Sequence, residues 1–423
     1  MPVRPELILA GRLIDGTGAA PRERMALVLR EGGIEAVVPQ TDLSRTQRQG
    51  ASVLDLEDAT VLPGLIDTHA HLTFNAGPNH EVVRSAVVGE SDGRLALRSL
   101  TNAQAHLAGG VTTIRDTGGR GFLTVAVRDA VRDGLVLGPR LQVSGPAITT
   151  TRGHLNYLGA IANSAAEMRE WSRKVLDAGA DFIKLCATGG IMTAESEPLG
   201  SQYTVEELRE AVDEAESRGT LVAAHVLAGE ALERCVRAGV RSIEHCLWQD
   251  EPGVFRFQPE LAAEMREKQI FAGLTFAGVS QARYKELQLG AGSGADMGVW
   301  QQRLANRYAA EREMVASGVR YVLHSDAGVR ETPFGTFWLT LATAVFELQI
   351  SPLEAITAAT ASPAALMGLD QQVGTLQPGR RADILVVDGD PSERIELLAR
   401  PKKVLLDGAV VAECGHLQTD FGR

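Results

Sequence analysis

The sequence predicts an α/β protein: a (β/α)8 TIM barrel with a small β-sandwich domain built from both chain termini. Two patterns carry this expectation. From Val61 to about Leu369, short apolar runs alternate with longer amphipathic stretches, and on either side the chain turns to short strands broken by glycine turns. Strands alternating with helices pair in parallel through right-handed crossovers. Eight such units make a closed barrel.

The eight apolar runs are Val61–Ile66, Val111–Arg115, Leu141–Ser144, Phe182–Ala187, Leu221–Ala224, Ser242–Glu244, Phe271–Thr275 and Tyr321–Leu323. The stretches between them read as helices. Around Thr204, for example, a threonine that can cap is followed three residues later by Glu207, the signature of a capping box. Residues 1–59 hold the strand-like segments Glu6–Asp15 and Met25–Val38, and residues 371–423 hold Ala382–Asp388 and Lys403–Val411. Neither flank is long enough to bury a good core alone. The two are therefore expected to form one discontinuous β-sandwich domain, with residues 60–370 as the barrel.

Composition narrows the function. With 423 residues, 44% hydrophobic and 22% charged, the chain has the make-up of a folded globular protein. A net charge of −11 disfavours nucleic acid or an anionic membrane as partner. The N-terminus carries Arg4 and Glu6 and lacks the apolar core of a signal peptide, and no run approaches a membrane span, so a cytoplasmic enzyme is expected. Cys186, Cys235, Cys246 and Cys414 lack the close spacing of a zinc knuckle or disulfide framework.

Barrel enzymes place their chemistry at the C-terminal ends of the strands. Those ends are occupied here by His69 and His71, Lys184, His225, His245 and Asp326. His69 and His71 stand two apart on an extended chain and so point to one side. Four of the nine histidines fall at such positions, and imidazole is the commonest metal ligand. Lys184 sits inside an apolar strand, where burial and nearby positive charge favour the neutral amine. A neutral amine can take up carbon dioxide and become a carbamate, an anionic ligand able to bridge two metals. The expected centre has His69, His71 and Asp326 on one divalent ion, His225 and His245 on the other, and the carbamate of Lys184 between them.

These residues, with Pro63–His71 and the C-terminal segment Gly374–Asp383, resemble the amidohydrolase superfamily over nearly the whole chain. The segments Ile183–Thr193 and Ala223–His225 are similar to its branch of imidazolonepropionase-related amidohydrolases and metal-dependent prolidases. The resemblance implies two zinc ions, a carboxylated lysine and a homo-oligomer. Two metals can activate water and polarise a carbonyl together. Asp326 is then placed to carry the proton from water to the leaving nitrogen. His154 is expected to stabilise the oxyanion, because it matches a histidine near the substrate in related enzymes.

Hydrolysis of an amide or peptide bond follows, since Val226, Leu227 and Ala228 stand where superfamily deaminases often carry a glutamate. Some prolidase-like members bind the substrate carboxylate with a tyrosine two residues after the strand-five histidine, where this chain has Leu227. That task falls to Arg152 or Tyr157, or the substrate lacks the carboxylate, and an apolar pocket is expected from Phe74, Leu227 and Trp248. The favoured substrates are N-acyl amino acids and dipeptides, including aromatic amides of the ochratoxin type. The alternative is a cyclic-amide or ring hydrolase like imidazolonepropionase, whose members look mononuclear and would not need Lys184.

Overall fold

The structure, a computed structural model, describes residues 3–279, 282 and 297–418. The N-terminal strands Leu7–Leu13 (β1), Arg22–Arg30 (β2), Gly33–Pro39 (β3), Val53–Asp55 (β4) and Thr60–Pro63 (β5) lead into the barrel. The barrel strands are Leu65–Ala70 (β6), Val111–Asp116 (β7), Arg140–Val143 (β8), Ile148–Thr149 (β9), Ala160–Ile161 (β10), Ile183–Cys186 (β11), Val222–His225 (β12), Ser242–Glu244 (β13), Phe271–Thr275 (β16) and Arg320–His324 (β17), with a small hairpin of Gln249–Glu251 (β14) and Val254–Phe255 (β15) between β13 and β16. The chain then returns to the flanking domain through Ile384–Val387 (β18), Pro401–Leu406 (β19), Ala409–Glu413 (β20) and His416–Leu417 (β21).

All eight expected strand positions form, and the strands pair in parallel as two arcs, β6-β7-β8 and β10-β9-β11-β12-β13-β16-β17. The hydrogen-bonded ladder is not closed. Among the described residues, the last strand meets the first through the single bridge Ala70–Ala327. The third position is split, because Gly145 adopts φ +67 between β8 and β9 and breaks the extended chain. Outside the strands the amphipathic stretches are helices. In Val205–Ser217 the Thr204 hydroxyl accepts from the Glu207 N–H (3.2 Å) and the Glu207 carboxylate accepts from the Thr204 N–H (2.9 Å), the expected capping box, and Leu208, Ala211, Val212 and Ala215 face inward.

The two terminal segments combine, but as one nine-stranded sheet in which β5 joins the halves, rather than as two separate sheets. β5 pairs in parallel with β1 and antiparallel with β18, and one core mixes Ile8, Leu27 and Val61 with Ile384, Val386 and Leu405. The apolar run Val61–Ile66, read from the sequence as a single barrel strand, is thus divided at Gly64. A Cβ on Gly64 would come within 2.3 Å of the Thr112 hydroxyl, and its N–H donates to Asp383 O (2.9 Å), so the backbone itself passes between sheet and barrel there.

A charged contact fixes the sheet against the barrel. Arg140 on β8 donates to the Asp383 carboxylate (2.6 Å) and to the Thr113 hydroxyl (3.2 Å), and Asp383 is almost fully buried. Removing one partner of such a pair leaves the other uncompensated. Arg140→Ala is therefore expected to lower the apparent unfolding free energy by about 2–3 kcal/mol in chemical denaturation. An unchanged midpoint would show that the pair does not hold the two parts together.

Candidate metal centre

The strand ends deliver the six expected ligands to one cavity of about 450 Å³: His69, His71, Lys184, His225, His245 and Asp326 all line it. His69 Nε2 and His71 Nε2 lie 3.5 Å and 3.4 Å from Asp326 Oδ1. The ring of His69 is 5.1 Å from that of His245, which is 4.6 Å from that of His225. Asp326 (φ 56) and His245 (φ 64) both occupy the left-handed region, a costly conformation for residues with side chains and one that collects at functional sites. The strain sits where each strand ends and its side chain must be turned toward the others.

Hydrogen bonds choose which nitrogen each ring presents. His71 Nδ1 donates to Gly118 O (2.9 Å) and His69 Nδ1 donates to Glu244 Oε2 (2.8 Å), so in both rings Nε2 is left with its lone pair. His225 uses Nε2 on Gly189 O (3.0 Å), leaving Nδ1. Burial holds His69, His225 and His245 well below the ordinary imidazole pKa, and neighbouring charges add to it. These rings are neutral and able to bind a cation.

Among the described residues, two three-residue groups approach closely enough to hold an ion: His69, His245 and Asp326, and His69, Glu244 and His324. They differ in what their atoms already do. Glu244 Oε1 accepts from Arg115 (2.8 Å) and Ser242 (2.5 Å), and its other oxygen accepts from His69 Nδ1. Burial would raise the Glu244 pKa, but the Arg115 guanidinium, first among several charges, holds it down to about 2. Glu244 is thus a satisfied anion that orients His69. Asp326 Oδ1 is buried and has no hydrogen-bond partner, so Asp326, unlike Glu244, has an oxygen free for a cation.

Lys184 is the sharpest test of fit. Its Nζ is buried and has no hydrogen-bond partner. Among the described residues it forms no ion pair that would give it a structural role, and the nearby acid Glu195 is exposed. Burial lowers its pKa. A buried lysine with no partner is costly as an ammonium and stable as an amine. A donor set of neutral imidazoles, one free carboxylate oxygen and an unpartnered amine suits divalent metal.

The other expected site residues divide. His154, Phe74 and Leu227 line the cavity, and His154 lies 4.4 Å from the His225 ring with its Nδ1 unpartnered; burial, with nearby charges, takes its pKa down to about 3. Arg152, Tyr157 and Trp248 do not line it, which corrects their assignment. Trp248 lies in the core against Phe257 (5.1 Å), because side chains alternate along this extended segment and Leu247 and Gln249 take the cavity side. Arg152 is exposed on the turn closed by Gly153 N and Thr150 O (2.8 Å), and Tyr157 packs beneath Arg84. Sequence reasoning also passed over Glu244, His324 and Arg115. Glu244 and His324 each lie within two residues of an expected ligand, and a charged residue inside an apolar strand was the available signal.

Residues 60–411 match the amidohydrolase family. The chain belongs to that family. Ochratoxinase of Aspergillus niger is 29% identical to this amidohydrolase, over 94% of this chain and 84% of its own length. Imidazolonepropionase of Solibacter usitatus is 25% identical over 92% of this chain and 91% of its own. Among solved structures, a Xaa-Pro dipeptidase with methionine bound in its active site superposes with a TM-score of 0.81 at 27% identity, covering 96% of this chain and 98% of that one. The protein is a hydrolase acting on amide C–N bonds.

Because Glu244 both fixes His69 and neutralises buried Arg115, Glu244→Gln is expected to weaken metal binding about 10- to 100-fold and to destabilise the fold by about 3–5 kcal/mol. Metal titration followed by denaturant unfolding checks both. Wild-type affinity and stability together would remove Glu244 from the account.

Proposed function

We propose that this amidohydrolase is a binuclear metal enzyme that cleaves the amide bond of N-acyl amino acids or dipeptides, aromatic amides of the ochratoxin type included. The observation that carries this reading is Lys184, a buried amine with no hydrogen-bond partner among neutral histidines. A mononuclear site would leave that amine without a task. As a carbamate it would supply an anionic oxygen ligand, and His69, His71 and Asp326 would hold one ion and His225 and His245 the other. Zinc suits imidazole and carboxylate donors.

Divalent ions bound there would supply Lewis-acid activation of water and of the amide carbonyl. The remaining steps belong to the chain. Asp326 accepts the proton of the attacking water and passes it to the amide nitrogen, so that the C–N bond breaks to a carboxylate and a free amine. His154, neutral and beside His225, supplies a hydrogen bond to the oxyanion that develops on the carbonyl. Phe74, Leu227 and Met192 form an apolar wall suited to a hydrophobic side chain. The similarity to ochratoxinase and to a Xaa-Pro dipeptidase supports the substrate class.

The similarity to imidazolonepropionase favours a ring amide as the second reading. A panel assay separates the two: metal-loaded protein is offered N-acyl amino acids, dipeptides and lactams, with a chelator-treated control. Chelator-sensitive release of free amino acid is expected, together with a loss of at least about 1,000-fold in Lys184→Ala that a small carboxylate such as propionate partly restores. Lactam opening without amino-acid release, or full activity in Lys184→Ala, would overturn the proposal.

A further inference from the structure

We infer that Arg330, assisted by Arg303, binds a free carboxylate on the substrate, so that the enzyme selects amides whose amine half ends in an α-carboxylate. The inference rests on the amide-hydrolase reading above and specifies the substrate of the same cavity.

The argument starts from charge. The protein carries a net charge of −11, yet Arg303, Arg307 and Arg330 all line the one cavity that holds the candidate metal ligands. Arg307 is already neutralised, since its Nε donates to Glu311 Oε1 (2.8 Å) and its Nη2 to Thr275 O. Arg303 and Arg330 form no ion pair among the described residues. The carboxylates on the cavity wall are Glu197 and Asp326, and Asp326 lies against His69 and His71 instead. Nor does His80 compete as a cation: burial and the charge of Arg330 both hold it below its ordinary pKa.

Position gives the two arginines different roles. Arg330 follows Asp326 by four residues on the loop after β17, and its guanidinium approaches Gly278, where a Cβ would lie 3.8 Å away. It therefore comes from the same loop as the proposed proton carrier and faces the segment after β16. Arg303, on the helix Met297–Ala316, lays its stem against Gly253, where a Cβ would come within 3.0 Å of it. Both arginines are exposed and line the cavity together with Phe74, Leu227 and Val329. Guanidinium matches a carboxylate with two parallel hydrogen bonds, and such charge-assisted bonds are stronger than neutral ones. Leu227 brings no polar group to this task. The unpaired arginines do.

The test is calorimetric binding to the metal-loaded enzyme, using phenylalanine and phenylalaninamide as probes, beside turnover of N-acetylphenylalanine and its primary amide. Wild type is expected to bind the carboxylate more tightly than the carboxamide. Arg330→Met should reduce that preference about 10- to 100-fold, and Arg330→Lys should restore part of it. Arg303→Met should reduce it by less. In turnover the loss should appear as a raised KM for the carboxylate substrate. Equal preference in wild type, Arg330→Met and Arg303→Met would overturn the inference. Absence of turnover in wild type, with the binding difference intact, would instead contradict the amide-hydrolase reading and leave the carboxylate site standing.

Discussion

The site depends on the seam where the last barrel strand meets the first, and Asp67 is the carboxylate that holds that seam. Its Oδ1 accepts from the Ser325 N–H (3.1 Å) and the His69 N–H (3.2 Å), and its Oδ2 accepts from the Ser325 hydroxyl and from His106 Nε2 (2.8 Å). The backbone adds Asp326 N to His69 O (2.8 Å) and His71 N to Ala327 O (2.8 Å). Three candidate ligands, His69, His71 and Asp326, are thereby set by one buried anion and two peptide bonds. The seam lacks a full β-ladder, so side-chain hydrogen bonds take over where strand pairing stops.

A second constraint is electrostatic. The barrel axis buries Arg115, Glu244 and Lys184 beside five imidazoles, those of His69, His71, His225, His245 and His324. Such a collection is tolerable only if the charges are paired or absent. Arg115 and Glu244 cancel directly, with Thr68 O accepting from Arg115 Nε and the Ser242 hydroxyl bonded to both partners. His69, His225, His245 and His324 are kept neutral by burial. Among the strand-end ligands, the fully buried side-chain atoms without a hydrogen-bond partner are Lys184 Nζ and Asp326 Oδ1. This is the pattern of a site whose stability has been traded for affinity: polar atoms left unsatisfied by protein are available to something else.

Much of this was legible in the sequence, for reasons that can be named. The strands were visible because each is a short apolar run, and the ligands because they end those runs. The capping box at Thr204 read correctly because it is a local, i to i+3 interaction. What stayed hidden was non-local. Nothing in the neighbourhood of Glu244 tells that it meets Arg115, which lies 129 positions away. The division of Val61–Ile66 follows from Gly64 passing over Thr112, a tertiary contact. The cavity wall was the least legible. Arg152, Tyr157 and Trp248 were chosen by sequence proximity to site residues, but loop direction and strand alternation turned them away, and Arg330 and Arg303 came from segments that carry no motif.

The central claim is that Lys184 is a bridging carbamate between two metals, and crystallography with anomalous scattering from metal-loaded protein grown in bicarbonate tests it most directly. The account predicts two anomalous peaks per chain, one beside His69, His71 and Asp326 and the other beside His225 and His245, with density for a carboxyl group on Lys184 Nζ between them. A single peak with unmodified Lys184 would contradict it.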